Sequence, residues 1–266
     1  MTRIGTAAFI HCFRIGLREE WAQKVPLAGT FLSLAVIVAI WASIWRLVPA
    51  ETLAPVALTS ARAIWYFTLT EIVAFALGHA YRQVEIDLGS GNMTLMLARP
   101  LGYVGLKAAE EAGHTVIKLA VFAPPGLALA WAIAGPPSFG PGLIAPLFVL
   151  LMGGAAILLA LQILIGLSAA WLGSARAVFF ITQKCLFVLG GLIVPVTAYP
   201  AILQRIGFAT PFPAMLYAPA SLALDGSAAH VAKMLALEGL WLCVALGALW
   251  LAARAFERRI VTEGLA

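Results

Sequence analysis

Six long apolar stretches constrain the fold of this chain more than any other feature of its sequence. A helix needs about 20 predominantly apolar residues to cross the hydrocarbon core of a bilayer. Lipid offers no hydrogen bonds to the backbone, so a spanning segment is a helix or a strand of a closed barrel, and the alternating pattern of a barrel is absent. The sequence therefore predicts an all-α polytopic membrane protein, one transmembrane domain over residues 1–266, with six transmembrane helices at 26–45, 61–80, 108–134, 143–171, 177–197 and 231–253.

Composition supports this class. Hydrophobic residues make up 62% of the chain and charged residues 11%, whereas a soluble domain carries about 25% charged residues. The chain therefore has too few charges to cover a water-facing surface. Its formal net charge is +5, but the basic residues are dispersed between the apolar stretches. We therefore expect a lipid membrane as partner and no nucleic acid.

The distribution of lysine and arginine predicts the orientation, because cytoplasmic loops carry an excess of both. With the N-terminus in the cytoplasm, only four of the 17 basic residues fall on the outer side, namely Arg46, Arg62, Arg205 and Lys233. Eleven fall on the cytoplasmic side: Arg3, Arg14, Arg18, Lys24, Arg82, Arg99, Lys107, Arg176, Arg254, Arg258 and Arg259. Both termini are therefore predicted to be cytoplasmic.

Three segments outside the spans also carry a pattern. Residues 7–24 are amphipathic, which predicts an interfacial helix ahead of the first span. Residues 81–101 form a cytoplasmic loop between the second and third spans. Residues 198–229 are too apolar and too rich in proline for a solvated outer loop. They predict short re-entrant helices between spans five and six, with their ends shielded by protein.

Motifs for nucleotide binding and for catalysis are absent from the sequence. It contains no GxxxxGK[ST] loop, no HExxH and no GxSxG. The three cysteines, Cys12, Cys185 and Cys243, lack the spacing of metal ligands. We therefore expect no catalytic residues, no metal site and no cofactor on this chain, which would act as a transport subunit and not as an enzyme.

The loop between the second and third spans has the most informative pattern. Acidic residues at its start are followed by a glycine-rich break and then by an apolar segment that stops at Arg99-Pro100. Proline cannot continue a helix and biases the residue before it toward extended backbone. Apolar residues such as Met93 and Leu97 in a cytoplasmic loop need a partner surface. The alternative is that this segment packs against the ends of its own helices.

This stretch resembles the loop after the second span in type-2 ABC exporter permeases, particularly the small six-span subfamily associated with drug or viologen export. The shared pattern is an acidic and an aliphatic residue, then a glycine, an aliphatic residue and an Arg-Pro-Leu. It is met here by Asp87, Leu88, Gly91, Met93, Arg99, Pro100 and Leu101. Asp stands where Glu is usual. The six-span layout, the amphipathic N-terminal segment and the proline-rich segment 199–219 are similar to the family as well.

The resemblance implies a mechanism and a set of partners. The loop would be the coupling element that docks on a separate ABC ATPase, and two ATPases would work with two permeases in a bacterial cytoplasmic membrane. The second permease would be non-identical or a second copy of this chain. ATP and Mg²⁺ would bind to the ATPase. The residues implied in coupling are Glu85, Ile86, Asp87, Leu88, Gly91, Met93, Leu97, Arg99 and Pro100.

Charged residues inside the predicted spans are expensive in lipid and mark candidate functional positions. Glu71 lies in the second span, and His114 and Lys118 lie one turn apart in the third. For Glu71 two interpretations stay open. It has a role in substrate binding or gating, or it forms a structural ion pair with Lys118 or with a polar group of the second permease. His114 has no companion ligands in the sequence, so no metal site is expected there.

Small residues in the fourth span, among them Gly153-Gly154 and Gly166, predict close helix contacts. These contacts belong either to a subunit interface or to packing within the chain.

Two other functions are compatible with the sequence. An ATP-independent secondary transporter or channel would need an ion site at the membrane midplane and repeated halves. A membrane scaffold would use residues 81–101 to recruit another cytosolic factor. For the exporter, apolar spans with few charges indicate an amphiphilic or hydrophobic substrate.

Overall fold

The computed structural model describes residues 3–54, 58–76, 78–90 and 102–263, and in these ranges the chain is helical and contains no β-strand. Five helical runs are long and apolar enough to cross a membrane: Lys24–Leu47, Ser60–Gly89, Gly102–Ala134, Pro141–Leu172 and Ala228–Arg259. The predicted all-α polytopic membrane class is confirmed. The helices are α1 Arg3–Ala22, α2 Lys24–Leu47, α3 Ala50–Leu53, α4 Ser60–Ala76, α5 Ala80–Gly89, α6 Gly102–Ala134, α7 Ile144–Leu172, α8 Arg176–Leu189, α9 Ala201–Phe208, α10 Phe212–Met215, α11 Tyr217–Ala220 and α12 Ala228–Glu263.

Two helices form the centre of the bundle. Helix α4 is buried on every side from Ala63 to Val73, and α7 is apolar around its whole circumference and buried along much of its length. Helices α2 and α12 surround them and leave large apolar side chains exposed, such as Leu32 and Leu251. An apolar outer surface is the arrangement that lipid favours.

The glycines of α7 lie within the chain's own packing. A Cβ at Gly166 would lie 2.6 Å from the Cβ of Val84 in α5, and one at Gly154 would lie 2.6 Å from the carbonyl oxygen of Met215. Gly153 is covered by the carboxylate of Glu238 in α12. Of the two interpretations of these small residues, the structure therefore supports internal packing.

The predicted fifth span, residues 177–197, does not form one long helix. Helix α8 has 14 residues and ends at Leu189, which gives it a length of about 21 Å against a hydrocarbon core of about 30 Å. The chain turns at Gly190-Gly191, where Gly191 has φ +70°, a left-handed conformation that glycine adopts without strain. Pro195 follows and precedes a 3₁₀ turn at Val196–Ala198. Composition alone did not reveal this break.

Short helices follow this turn, as predicted for residues 198–229. Helices α10 and α11 are buried against α4, α7 and α12. Helix α9 exposes Ile202, Leu203 and Ile206. The segment closes one end of the bundle, because Ser138, just beyond α6, donates a hydrogen bond to the carbonyl of Ala223.

The N-terminal segment predicted as an interfacial helix is α1, which packs lengthwise against the first half of α6. Gly16 and Gly113 lie at the crossing of the two helices. A Cβ at Gly16 would overlap the carbonyl oxygen of Glu110, and one at Gly113 would overlap that of Phe13. The absence of a side chain at both positions allows the two backbones to touch.

The two ends of the bundle are distinct. At the end that we call the loop end, α5, the start of α6, the start of α8 and the last turns of α12 meet, with Gly102 beside the carboxylate of Glu257. At the end that we call the closed end, α3, the connection from α6 to α7 and residues 190–230 meet, with Arg46 donating a hydrogen bond to the carbonyl of Ile133. The loop end carries most of the segments predicted to be cytoplasmic.

Candidate functional site

A cavity of about 470 Å³ lies between α2, α4, α7 and α8 and extends to Ile193. Its walls are almost entirely apolar. The polar groups on the wall are Glu71, Gln162, Thr182 and Gln183. Pockets of this volume, with apolar walls and a few convergent polar groups, are typical of sites for small molecules.

Glu71 is the one ionisable residue on the wall of this cavity. It is 5% exposed, because α4 is surrounded by other helices. In the part of the chain that the structure describes, Glu71 has no ion-pair partner. Gln162 of α7 lines the same cavity, and its Oε1 is buried without a hydrogen-bond partner among the described residues. Among the described residues, the cavity wall thus contains a carboxylate without an ion pair and an amide oxygen without a hydrogen bond.

The predicted alternative of an ion pair between Glu71 and Lys118 is not what the structure shows. Lys118 lies 3.8 Å from the carboxylate of Glu20 in α1. The same carboxylate lies 3.6 Å from Nδ1 of His114, and the carboxylate of Glu19 lies 3.4 Å from Nε2. His114 and Lys118 therefore bind α1 to α6 and do not reach the cavity.

This cluster also contains a group with the spacing of metal ligands. One oxygen each of Glu19 and Glu110 and one nitrogen of His114 lie within 4.8 Å of one another. Glu19 is exposed, and the imidazole already has two carboxylate partners. The contacts of His114 with the two carboxylates of α1 account for the grouping, and the expectation of no metal remains a prediction.

Helix α5 holds the first four residues predicted to couple the chain to an ATPase. The hydroxyl of Tyr103 donates a 2.8 Å hydrogen bond to the buried carboxylate of Asp87, and Gln83 donates a second at 3.1 Å. Because Tyr103 lies at the start of α6, the Asp87–Tyr103 bond joins the two helices on either side of residues 91–101. Ile86 is exposed and Leu88 is partly buried. Gly91, Met93, Leu97, Arg99 and Pro100 lie outside the described residues.

Helix α5 is also attached to the wall of the cavity. The backbone N–H of Ala175, just before α8, donates a 3.2 Å hydrogen bond to Glu85. The ring of Tyr81 stacks on that of Phe179 in α8, with centroids 4.1 Å apart and planes 12° apart. Phe179, Thr182, Gln183, Leu186 and Phe187 of α8 line the cavity. A displacement of α5 would therefore be transmitted to the cavity wall.

Sequence reasoning missed three of these residues. Tyr81 and Tyr103 give no local signal, because their partners are 98 and 16 positions away. Gln162 did give one, since an amide within an otherwise apolar span indicates an interior or functional position.

The fold defines a class: a multi-pass α-helical membrane protein, with an apolar cavity between its helices. The comparisons with known proteins give the family. The family model described as ABC-2 family transporter protein matches residues 56–257, which is most of the chain. The comparison of this chain with curated proteins found no match. The chain belongs to the ABC-2 transporter family. Its members are the membrane subunits of ABC transporters, they work with an ABC ATPase, and they typically lack a nucleotide site of their own.

Proposed function

We propose that this chain is the permease subunit of an ATP-driven exporter, and that it couples ATP hydrolysis by a separate ATPase to the export of an amphiphilic or hydrophobic substrate. The observation that carries the proposal is the attachment of α5 to α8. Glu85 holds the start of α8 and Tyr81 stacks on Phe179, so the helix that leads into residues 91–101 is joined to the helix that lines the cavity.

The coupling step follows from these contacts. The ATPase contacts Ile86 and two apolar residues of the following segment, Met93 and Leu97. Glu85 and Asp87 hold α5 in place within the permease. Leu88 packs against the bundle. Gly91, Arg99 and Pro100 are part of the proposed coupling segment. ATP and Mg²⁺ bind on the ATPase, and closure of the ATPase dimer moves α5 and with it α8. ATP binding supplies the differential affinity between the two states of the cavity.

The cavity receives the substrate. Its apolar wall suits a hydrophobic body, and the carboxylate of Glu71 with the amide oxygen of Gln162 suits a donor group on the same molecule. In the proposal a second permease completes the pathway beside α2 and α8. We favour a non-identical second permease, with two ATPases in the complex.

The loop end faces the cytoplasm in this proposal. The excess of basic residues there is the observation that supports this orientation. In the proposal both termini lie in the cytoplasm and the protein lies in a bacterial inner membrane.

Co-purification tests the proposal. The full chain is co-expressed with its cognate ATPase and captured through a tag on the permease, in parallel with the variants Ile86→Asp and Met93→Asp. We expect the ATPase to co-purify with the wild type and to be lost with both variants, because a buried carboxylate without a partner opposes docking. Arg82→Lys, a conservative change at an exposed position of the same helix, serves as the control. Transport by the permease alone in ATP-free vesicles under an ion gradient would contradict the proposal.

A further inference from the structure

Two cavities at the closed end of the bundle share a wall formed by Thr197, Tyr217 and His230. Their volumes are about 260 and 430 Å³. The smaller one is lined by Arg62 at the start of α4, and the larger one by Arg205 of α9 and Lys233 of α12. Three basic residues from three separate helices therefore line two adjoining cavities.

This arrangement involves three of the four basic residues predicted to lie on the outer side. Basic residues are scarce on that side of membrane proteins, so their placement calls for a physical reason. Arg46, the fourth, has one, because it donates to the carbonyl of Ile133 at the end of α6. Arg62, Arg205 and Lys233 form no ion pair with any residue that the structure describes.

Asp225, the one acidic residue on the wall among those that the structure describes, already has partners within the chain. Asp225 accepts a 2.8 Å hydrogen bond from the N–H of Ser227, which holds the pKa of its carboxyl below the usual range. Its other oxygen lies 3.7 Å from Nδ1 of His230. The Nε2 of His230 is 2.8 Å from the hydroxyl of Ser221. Arg62 and Asp225 both line the smaller cavity, so the excess of two positive charges lies at Arg205 and Lys233 in the larger one.

The surroundings of the site indicate where its ligand comes from. Helix α9 carries Arg205 at the cavity and exposes Ile202, Leu203 and Ile206. A short helix with a basic residue beside an exposed apolar face is typical of a segment at the boundary between head groups and acyl chains. Arg and Lys are the residues that bind phosphate groups most strongly.

We propose that Arg62, Arg205 and Lys233 form a binding site for the phosphate group of a membrane lipid at the closed end of the bundle. The guanidinium and ammonium groups bind the phosphate oxygens, and the acyl chains lie along the apolar face of α9. The lipid would hold residues 190–230 against α4 and α12. These three parts of the chain supply the three basic side chains and the wall of the site. This site is separate from the cavity at Glu71 and does not depend on the ATPase.

The test uses the full chain purified in a neutral detergent and titrated by calorimetry with dihexanoyl phosphatidylglycerol, with dihexanoyl phosphatidylcholine and with inorganic phosphate. We expect the anionic lipid to bind to the wild type, and its Kd to rise by about tenfold in the double variant Arg205→Ala/Lys233→Ala. Arg46→Gln removes a positive charge from the same end of the bundle and is expected to leave the Kd unchanged. Arg205→Lys/Lys233→Arg keeps both charges and is expected to bind, which separates loss of the site from loss of the fold.

Equal binding of the anionic lipid by the wild type and the double alanine variant would overturn the proposal. Binding of inorganic phosphate as tight as that of the lipid would assign the site to a soluble phosphate and overturn the lipid assignment. Tighter binding of phosphatidylcholine than of phosphatidylglycerol would also overturn it, because charge would then not decide recognition.

Discussion

The carboxylate of Glu85 accepts a hydrogen bond from the backbone N–H of Ala175 across 3.2 Å. This contact places a negative charge at the N-terminus of α8, where the helix dipole favours it. It joins a helix at the loop end to the helix that lines the cavity, although the two residues are 90 positions apart.

Replacing Glu85 with Ala is expected to uncouple transport from ATP hydrolysis. The ATPase should stay bound and active, while the amount of substrate moved per ATP falls about fivefold, which corresponds to the roughly 1 kcal/mol of one hydrogen bond. The measurement is dye transport and phosphate release in the same reconstituted vesicles. Glu85→Gln retains an acceptor oxygen and should be close to wild type. A parallel fall in hydrolysis and transport would contradict the expectation.

Tyr103→Phe is expected to destabilise the loop end. The substitution removes the 2.8 Å hydrogen bond to Asp87, a carboxylate that is 8% exposed. A buried acceptor that loses a donor destabilises the fold by about 1–3 kcal/mol. The melting temperature in detergent should fall. Tyr199→Phe, which removes a hydroxyl bonded to the Val188 carbonyl at an exposed position, is the matched control and should have a smaller effect. Equal melting temperatures for Tyr103→Phe and the wild type would refute the assigned role.

Gly16→Ala is expected to detach α1 from α6. The added methyl group overlaps the backbone at Glu110, so the helices must separate, and the ion pairs of His114 and Lys118 with α1 weaken with them. Limited proteolysis should then cleave within the first 22 residues faster than in the wild type. Gly29→Ala provides the control, because a Cβ there meets nothing within 4 Å, and alanine favours helix over glycine by about 1 kcal/mol. If both variants resist proteolysis equally, the close crossing is not required.

Glu71→Gln is expected to change the selectivity of the cavity. Among the described residues on the wall, Glu71 is the one ionisable group, so its replacement removes that group and leaves the volume nearly unchanged. Transport of the cationic dye rhodamine 6G should fall about tenfold, as one charge-assisted hydrogen bond is lost. Transport of the neutral dye Nile red should change little. Glu51→Gln, an exposed change in α3, is the control. An equal loss for both dyes would show that Glu71 acts on the structure and not on the cargo.

Local pattern predicted the elements of this chain better than their contacts. The helical class, the amphipathic segment of α1 and the short helices after residue 198 could all be predicted, because each depends on composition within about 20 residues. The end of α8 could not, since Gly190-Gly191 sits in a sequence that remains apolar on both sides. The sequence could not predict that Ile86 is exposed and Asp87 is buried, because this depends on where α6 packs against α5.

The sequence by itself determined that this chain crosses a membrane as helices, because lipid offers the backbone no other hydrogen-bond partner. It also determined that the basic residues favour one end, because the position of each charge relative to the apolar stretches is visible in the sequence. Only the tertiary structure decided which side chains meet. Lys118 binds Glu20 and not Glu71 because α1 and α6 cross at Gly16 and Gly113, and Glu71 is left on the cavity wall. Likewise, Arg62, Arg205 and Lys233 line two adjoining cavities because the starts of α4 and α12 lie near α9, a proximity that no spacing along the chain encodes.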